Sequence, residues 1–471
     1  MILALDQGTT GTTCLVVDEE LRVRGRGYAE LPQHFPRPGW VEHDPEQIWA
    51  SVLAAAEAAV RAAGVRPAEL RALGIANQRE TTVLWDRATG EPVAPAIVWQ
   101  DRRTAERCRT LPPGLIRART GLVPDPYFSA TKLEWLLERA GRPQAELAFG
   151  TVDAWLVWRL TGGREHVTDR TNASRTLLLG LDALDWDDEL LALFGVERGL
   201  LPRLAGSAEI VAEAELLGVT LPVAGIAGDQ QASLAGHGCF ERGQAKATYG
   251  TGSFVLAHVG AARETAPEGL LETAAAPAGY AHEGAVLASG AAIQWLRDGL
   301  GLLADAAESE RLARDAGSAG GVTFVPALAG LGSPHWNADA RGLISGISRG
   351  TTRGQLARAA LEAIAFQVAD VLELLPARVD VLRADGGATT NGLLMQLQAD
   401  VLGCPVEVAA EAETTALGAA VLAGRALGVW PDGDSLRALL RPGAVYEPGD
   451  RSWVDERRPE WRLALRRALL A

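Results

Sequence analysis

The chain has 471 residues, of which 48% are hydrophobic and 22% charged. This is the composition of a globular protein, and at roughly 150 residues per domain it suggests two or three domains. A formal net charge of −14 argues against nucleic acid or an anionic membrane surface as a partner, so an anionic substrate would need a local site of N–H groups, metal and a few bases.

Cys14, Cys108, Cys239 and Cys404 are isolated from one another, with no Cys-x-x-Cys pair. That spacing suits neither a disulfide framework nor a zinc site and fits a reducing cytoplasm. The amino terminus lacks a basic leader and Asp6 interrupts its apolar run, so no signal peptide is expected. No uninterrupted apolar stretch of about 18 residues occurs, so no membrane insertion is expected.

The first eighteen residues are an apolar run ending in Asp6, a turn Gly8-Thr9-Thr10-Gly11, and a second apolar run beyond Thr13. Two strands joined by a Gly/Thr turn are predicted, with Gly8 and Gly11 free to take positive φ and to turn successive N–H groups inward around an anion. Asp6 repels phosphate, and makes sense beside one only if a divalent cation or a water lies between them. Read alone, the segment is equally an ordinary surface hairpin.

Residues 22–31 alternate loosely and suggest a third strand. Asp44, Pro45 and Gln47 then open a helix with an N-cap, a favourable first position and capping-box spacing, and Gly64 stops it. His43, just before it, reads as a ligand or as a hydrogen-bonded structural histidine. A short apolar strand ends in Asn77-Gln78-Arg79-Glu80-Thr81-Thr82, the kind of strand end that faces a ligand crevice in an α/β sheet. Arg79 and Glu80 offer a donor fork beside an acceptor, which suits neutral hydroxyls, or else they form a surface ion pair. A hairpin is expected to turn at 88–90. Trp99 ends another strand, as a core residue or as an apolar wall for a small substrate, and Tyr127 sits in a rigid Pro-flanked loop from which its hydroxyl can reach a ligand. Residues 131–139 read as an amphipathic helix. Residues 149–160 read as a single helix with core tryptophans, and the polar segment 166–175 carries no chemistry by pattern.

The second half repeats themes. Gly225-Ile226-Ala227 echoes Gly74-Ile75-Ala76, which suggests two halves on one plan with a boundary near 222. Asp229 stands at a strand-to-helix turn, where it can accept a proton from a hydroxyl or cap the helix. Gly250-Thr251-Gly252 is a second Gly/Thr turn; two such turns, one in each half, suggest a nucleotide clamped between domains. Residues 283–296 read as strand, turn and helix, 322–328 as a strand and 352–375 as a long helix. Asp385-Gly386-Gly387 opens a third strand-to-helix turn, which brings N–H groups to an anion or is simply a turn. The tail, 451–471, is charged and amphipathic.

With these segments together the chain resembles the FGGY carbohydrate kinase family, over nearly its whole length. The most specific strings are Asn77-Gln-Arg-Glu-Thr-Thr82 and Gly39-Trp-Val-Glu-His-Asp-Pro45, supported by Asp6-Gln-Gly-Thr-Thr10, Ile97-Val-Trp-Gln100, Asp125-Pro-Tyr-Phe128, Gly228-Asp-Gln-Gln231, Tyr249-Gly-Thr-Gly252 and Asp385-Gly-Gly387. The resemblance implies an α/β fold of two actin-like (ribonuclease H-like) ATPase domains with a cleft between them, 1–222 and 223–471, and ATP-dependent phosphorylation of glycerol. It implies that Arg79, Glu80, Tyr127, Asp229 and Gln230 hold the hydroxyls and that Trp99 and Phe254 cover the carbons. Thr9, Thr10 and Gly11 would meet the transferred phosphate, and Thr251, Gly290, Gln294, Gly387 and Asn391 would hold ATP. Asp229 would be the base, and Asp6 and Asp229 would hold Mg²⁺. A homodimer or homotetramer is what the family suggests. Gly11 and Thr13 stand where many relatives carry Ser and Arg, so phosphate binding would lean on backbone and metal. Around Leu217-Gly-Val-Thr-Leu221 neither the fructose 1,6-bisphosphate loop nor the phosphorylatable histidine of some relatives occurs. The alternatives are a kinase for another polyol or a ketose, and an actin-like nucleotide-binding assembly protein with no acceptor substrate; the clustered Arg79, Glu80, Trp99 and Tyr127 argue against the last.

Overall fold

The computed structural model describes residues 1–430 and 433–470, and two mixed sheets organise it. In the first, of six strands, Ile2–Gln7 lies antiparallel to Gly11–Val17, which lies antiparallel to Val23–Glu30. On its other side Ile2–Gln7 runs parallel to Ala72–Asn77, and that strand runs parallel to Val219–Gly228. Ala212–Leu216 closes this edge through a tight turn at Leu217 and Gly218, both at positive φ (55° and 77°). The second sheet, of seven strands, repeats the plan. Ala245–Tyr249, Ser253–Gly260 and Tyr280–Val286 form the antiparallel meander, with Leu271–Ala274 outside it. Ala245–Tyr249 then runs parallel to Leu382–Asp385, which runs parallel to Val406–Ala409, and Pro442–Tyr446 closes the edge. A meander plus two parallel strands, used twice, puts a Gly/Thr turn at the same place in each half.

The expected boundary after residue 222 falls inside Val219–Gly228. That strand pairs with Ala72–Asn77, so the chain stays in the first sheet as far as Gly228, where helix Asp229–Gly236 begins.

The repeated Gly-Ile-Ala string has a different origin from the one expected. Its copies are neighbouring strands of one sheet, with Gly74, Ile75 and Ala76 opposite Gly225, Ile226 and Ala227. The glycines admit helix Thr414–Ala426 to the sheet: a Cβ on Gly74 would lie 2.2 Å from the Ala419 carbonyl oxygen, and one on Gly225 would lie 2.6 Å from the Ala423 amide nitrogen. A helix from late in the chain therefore packs on the first sheet and against Asp229–Gly236, which joins the two halves behind the cleft.

Local signals explain several helix ends. Asp44 caps Pro45–Ala63, accepting from the Glu46 amide at 2.8 Å, and Gly64 ends it at φ 67°. Gln47 turns instead to His34, 3.2 Å from its Nε2. Thr352 and Gln355 cap each other at the start of Arg353–Leu372. Residues 149–160 are not one helix: Leu147–Gly150 is a strand paired with Val83–Asp86, and the helix is Val152–Leu160. The hairpin expected to turn at 88–90 is present, with Gly90 N–H donating to the Asp86 carbonyl, Val93 N–H to the Leu84 carbonyl and antiparallel bridges at Trp85–Pro92 and Thr82–Ile97, and Leu147–Gly150 pairs with Val83–Asp86 as a further strand. Trp155 and Trp158 pack on Trp85 in the core, at centroid distances of 5.4 and 5.7 Å. The strand expected at 322–328 is the shorter Thr323–Val325. No helix among the described residues is long and apolar enough to cross a membrane.

Candidate active site

Strand Ala72–Asn77 ends at the cleft, and the chain passes through Gln78 and Arg79 to Glu80, which is held at φ 61°. A non-glycine residue in the left-handed region costs conformational energy and persists where its surroundings hold it. The Glu80 carbonyl accepts from Ser129 Oγ at 3.0 Å and its carboxylate accepts from Arg175 Nε at 2.7 Å. Arg79, 2% exposed, forks onto Glu283, with Nη1 to Oε2 at 2.6 Å and Nη2 to Oε1 at 2.9 Å. Its Nε faces Asp229 Oδ1 at 3.0 Å, and Nη2 lies 3.5 Å from the Tyr127 hydroxyl. Arg175 Nη2 completes the cluster at 3.2 Å from Glu283 Oε1.

Two buried guanidinium groups thus face two buried carboxylates, with Asp229 at the open end. Burial would raise Glu283, but Arg175 and Arg79 overcome it and hold the carboxyl at about 2. Glu80 sits above its ordinary value, because burial outweighs Arg175 and Arg79. Arg175 and Glu283 are the partners that pattern reading missed. Arg175 lies in the polar segment that carried no chemistry. Glu283 left one faint signal, an acid in the middle of an apolar strand, where carboxylates rarely stand unpaired.

Asp229 begins helix Asp229–Gly236, and its Oδ1 also accepts from the Gln230 amide at 2.7 Å. Its side chain is 31% exposed to the cleft. Asp6 lies close by. Burial first, then Asp229 and Glu413, push the Asp6 carboxyl up to about 8, and its Oδ1 is buried with no hydrogen-bond partner. Around Tyr127, the Trp99 ring packs edge-on at 5.5 Å, and Trp99 Nε1 donates to Thr9 Oγ1 at 2.9 Å. Phe254 lies on the second sheet beside Thr248 and Ala285, on the face that carries Lys246 and Glu283, because Lys246 stands opposite Leu256 and Leu256 opposite Glu283.

The first turn differs from expectation. Neither Gly8 nor Gly11 takes positive φ, and Gly8 N–H donates to the Gly11 carbonyl at 2.9 Å. What Gly11 avoids is a close side-chain contact: a Cβ there would lie 2.4 Å from the Tyr28 hydroxyl. Thr9 and Thr10 stand at the tip of this turn, between the two glycines. His43 underpins the turn. It is fully buried, 3.4 Å from Gln78 Nε2, and that amide also donates to Gln7 Oε1 and to the Gly8 carbonyl.

Across the cleft, Thr251, Gly290, Gln294, Gly387 and Asn391 line one cavity of about 440 Å³, a volume in the range of small-molecule sites. Gly290 N–H donates to the Gly250 carbonyl at 2.9 Å, which ties the second turn to helix Gly290–Gln294. Asn391 caps helix Gly392–Leu402 through the Leu394 amide and donates to Ser309 Oγ at 3.3 Å. A Cβ on Gly387 would meet nothing within 4 Å, so that glycine leaves open volume in the cavity.

Two sheets of one plan, each ending in a Gly/Thr turn at a shared cleft, define a two-domain α/β kinase of the actin-like (ribonuclease H-like) ATPase build. Residues 1–236 match the N-terminal domain, and residues 245–427 the C-terminal domain, of the FGGY family of carbohydrate kinases. The chain belongs to that family. It is 48% identical to glycerol kinase 2 of Thermotoga maritima, over 99% of this chain and 98% of that one. It is 51% identical to the glycerol kinase of Bordetella parapertussis, over 98% and 96%. Its structure matches that of Plasmodium falciparum glycerol kinase with ADP at a TM-score of 0.91, with 33% identity and coverage of 99% and 98%. It also matches a xylulose kinase from Rhodospirillum rubrum at 0.86, with 27% identity and coverage of 98% and 97%.

Proposed function

We propose that this chain transfers the terminal phosphoryl group of ATP to glycerol, giving sn-glycerol 3-phosphate. The observation that carries the reading is the cluster of Arg79, Glu80, Tyr127 and Trp99 closing on Asp229, with the cavity of Thr251 and Asn391 on the other wall of the cleft. Donor and acceptor groups held rigid by Glu283 and Arg175 suit a small neutral polyol. An acceptor lacking a hydroxyl leaves one of them unpaired, at about 1–3 kcal/mol or more for a charged group. Trp99 and Phe254 cover the carbons, and Gln230 adds a polar contact.

Asp229 takes the hydroxyl proton while the alcohol oxygen attacks the terminal phosphorus. The bond to the bridging oxygen breaks and its electrons leave with ADP. A carboxylate is a weak base toward an alcohol, which suffices when the proton leaves late in a loose transition state. Arg79 Nε fixes one carboxylate oxygen of Asp229 and leaves the other for the proton. Thr9, Thr10 and the Gly11 backbone meet the transferred phosphate, and Thr251, Gly290, Gln294, Gly387 and Asn391 hold the nucleotide. The unpartnered Asp6 oxygen, with Asp229 near, fits a divalent cation. Asp6 and Asp229 would hold Mg²⁺, which when bound would neutralise charge on the phosphates. By family resemblance we propose a cytoplasmic homodimer or homotetramer, and sedimentation tests the oligomeric state.

ADP release, measured with saturating Mg-ATP, should rise on adding glycerol, and folded protein without that stimulation rules the reading out. Asp229→Asn should abolish turnover while glycerol still binds; an unchanged rate removes Asp229 from the role of base. A higher kcat/KM for erythritol or xylulose than for glycerol would move the assignment to a related kinase, as the match to a xylulose kinase allows.

A further inference from the structure

Among the 45 basic residues of this chain only Lys132 and Lys246 are lysine; the rest are arginine. Wherever a cation meets water or an exposed carboxylate, this sequence uses arginine. Both lysines are fully buried, at 0% exposure, and both border the acceptor end of the cleft. Lys132 Nζ donates to the backbone carbonyls of Tyr127 at 2.6 Å and Pro126 at 3.3 Å. Lys246 Nζ donates to Gln230 Oε1 and, at 2.7 Å, to Thr248 Oγ1. These are slots for a compact donor, and the wide planar fork of arginine cannot serve there.

The second slot has a chemical consequence. An ammonium group carries three donors and no acceptor, so the Gln230 atom that faces it has to be the carboxamide oxygen. The orientation of this amide is therefore fixed by its neighbour. The NH₂ group, a donor only, faces away from Lys246, and the adjacent Asp229 carboxylate is an acceptor only. Side by side they offer opposite hydrogen-bonding character to an alcohol.

We propose that Lys246 is a positioning residue for acceptor recognition: by holding Gln230 Oε1 it turns the Gln230 NH₂ group toward the substrate, where it donates to a hydroxyl oxygen. The inference rests on the glycerol reading above. Without the ammonium, the carboxamide can turn over and present its oxygen, so the site loses a donor while the nucleotide cavity is untouched. Burial lowers the Lys246 pKa, which agrees with a slot that holds one proton-rich group at a cost.

The test compares glycerol with 1,2-propanediol and 1,3-propanediol, in wild type, Lys246→Met, Gln230→Ala and the double variant. Lys246→Met should lower kcat/KM for glycerol by about tenfold or more, the worth of one charge-assisted contact. The advantage of glycerol over one of the diols should shrink by a similar factor, while KM for ATP stays within about twofold. The double variant should be no worse than the poorer single one, because both changes remove the same contact. Additive losses, an unchanged advantage over both diols, or a parallel rise in KM for ATP overturn the proposal. If Lys246→Met does not melt cooperatively, Lys246→Gln, which keeps a donor, is read on the same ratio; an intermediate advantage supports the role and a wild-type or ATP-linked response overturns it. Wild-type protein that ignores glycerol would be a separate result, sinking the functional reading beneath this one.

Discussion

Replacing Glu283 by Gln removes one negative charge from the centre of the cleft while keeping the shape of the side chain. Glu283 is fully buried and receives three hydrogen bonds from two guanidinium groups, at 2.6, 2.9 and 3.2 Å. Burial alone would raise its pKa; Arg175 and Arg79 instead bring it from 4.5 to about 2. At about 1.4 kcal/mol per unit, the drop corresponds to about 3 kcal/mol of stability carried by the ionised form. Breaking a buried ion pair from one side costs about 3–5 kcal/mol in other proteins, so the two routes agree. Because the folded pKa is depressed, this stability is present above pH 4.5 and lost as the pH falls toward 2. Urea unfolding at pH 7 should show Glu283→Gln less stable by about 3 kcal/mol. Loss of the fork also frees Arg79, whose Nε orients Asp229, so turnover with glycerol should fall by about tenfold or more. A stability loss below about 1 kcal/mol together with wild-type turnover would refute the claim that the fork is a strong buried contact rather than a solvated one.

Two further predictions follow from the same surroundings. Burial holds the fully buried His43 at about 4, against 6.5 for the free side chain. The unfolded chain therefore takes up a proton first, and stability is lost as the pH falls from 6.5 to 4, by up to about 3 kcal/mol for this one group. His43→Asn should flatten that part of the pH–stability curve; an identical acid slope would show that His43 does not contribute it. Gly74→Ala places a Cβ 2.2 Å from the backbone oxygen of Ala419, whereas at Gly11 the obstacle is the tip of Tyr28, a side chain that is 50% exposed and held there by one exposed hydrogen bond, from its hydroxyl to the Thr10 carbonyl at 3.3 Å. Gly74→Ala should cost about 3 kcal/mol or more in urea unfolding and Gly11→Ala less than about 1, and equal costs would contradict this account of the two glycines.

Elements whose cause is local were legible in the chain. Asp44, Pro45 and Gly64 mark the ends of their helix through their own caps, and the strands around the first turn follow from an apolar run broken by Gly and Thr. Other local strings have a distant cause. Gly-Ile-Ala occurs twice because one helix, Thr414–Ala426, demands a bare surface on two adjacent strands. Similarity of sequence there reports a shared neighbour, and the duplication itself is carried by strand order, to which no string of residues corresponds. The Gly11 position has no positive φ, and what a Cβ there would meet is the ring of Tyr28, seventeen positions on.

The site divides in the same way. Arg79 and Glu80 drew attention because two opposite charges at a strand end are conspicuous, but adjacency says nothing about whether they pair. In the fold Arg79 forks onto Glu283, 204 residues away, and Glu80 takes Arg175, 95 residues away. Their own closest approach is 3.9 Å. Each charge is satisfied by a partner from elsewhere in the chain, so each is held rigid without being used up by its neighbour. Lone Arg79 and Glu80 paired with each other would make a closed ion pair with little left to offer a ligand. Crossed with Glu283 and Arg175, they leave Arg79 Nε to hold Asp229, whose side chain stays 31% exposed, and Arg79 Nη2 beside the Tyr127 hydroxyl. Preorganisation of this kind requires the second sheet to supply Glu283 to the first, and that is the physical reason the two halves must come together before the acceptor end of the cleft exists.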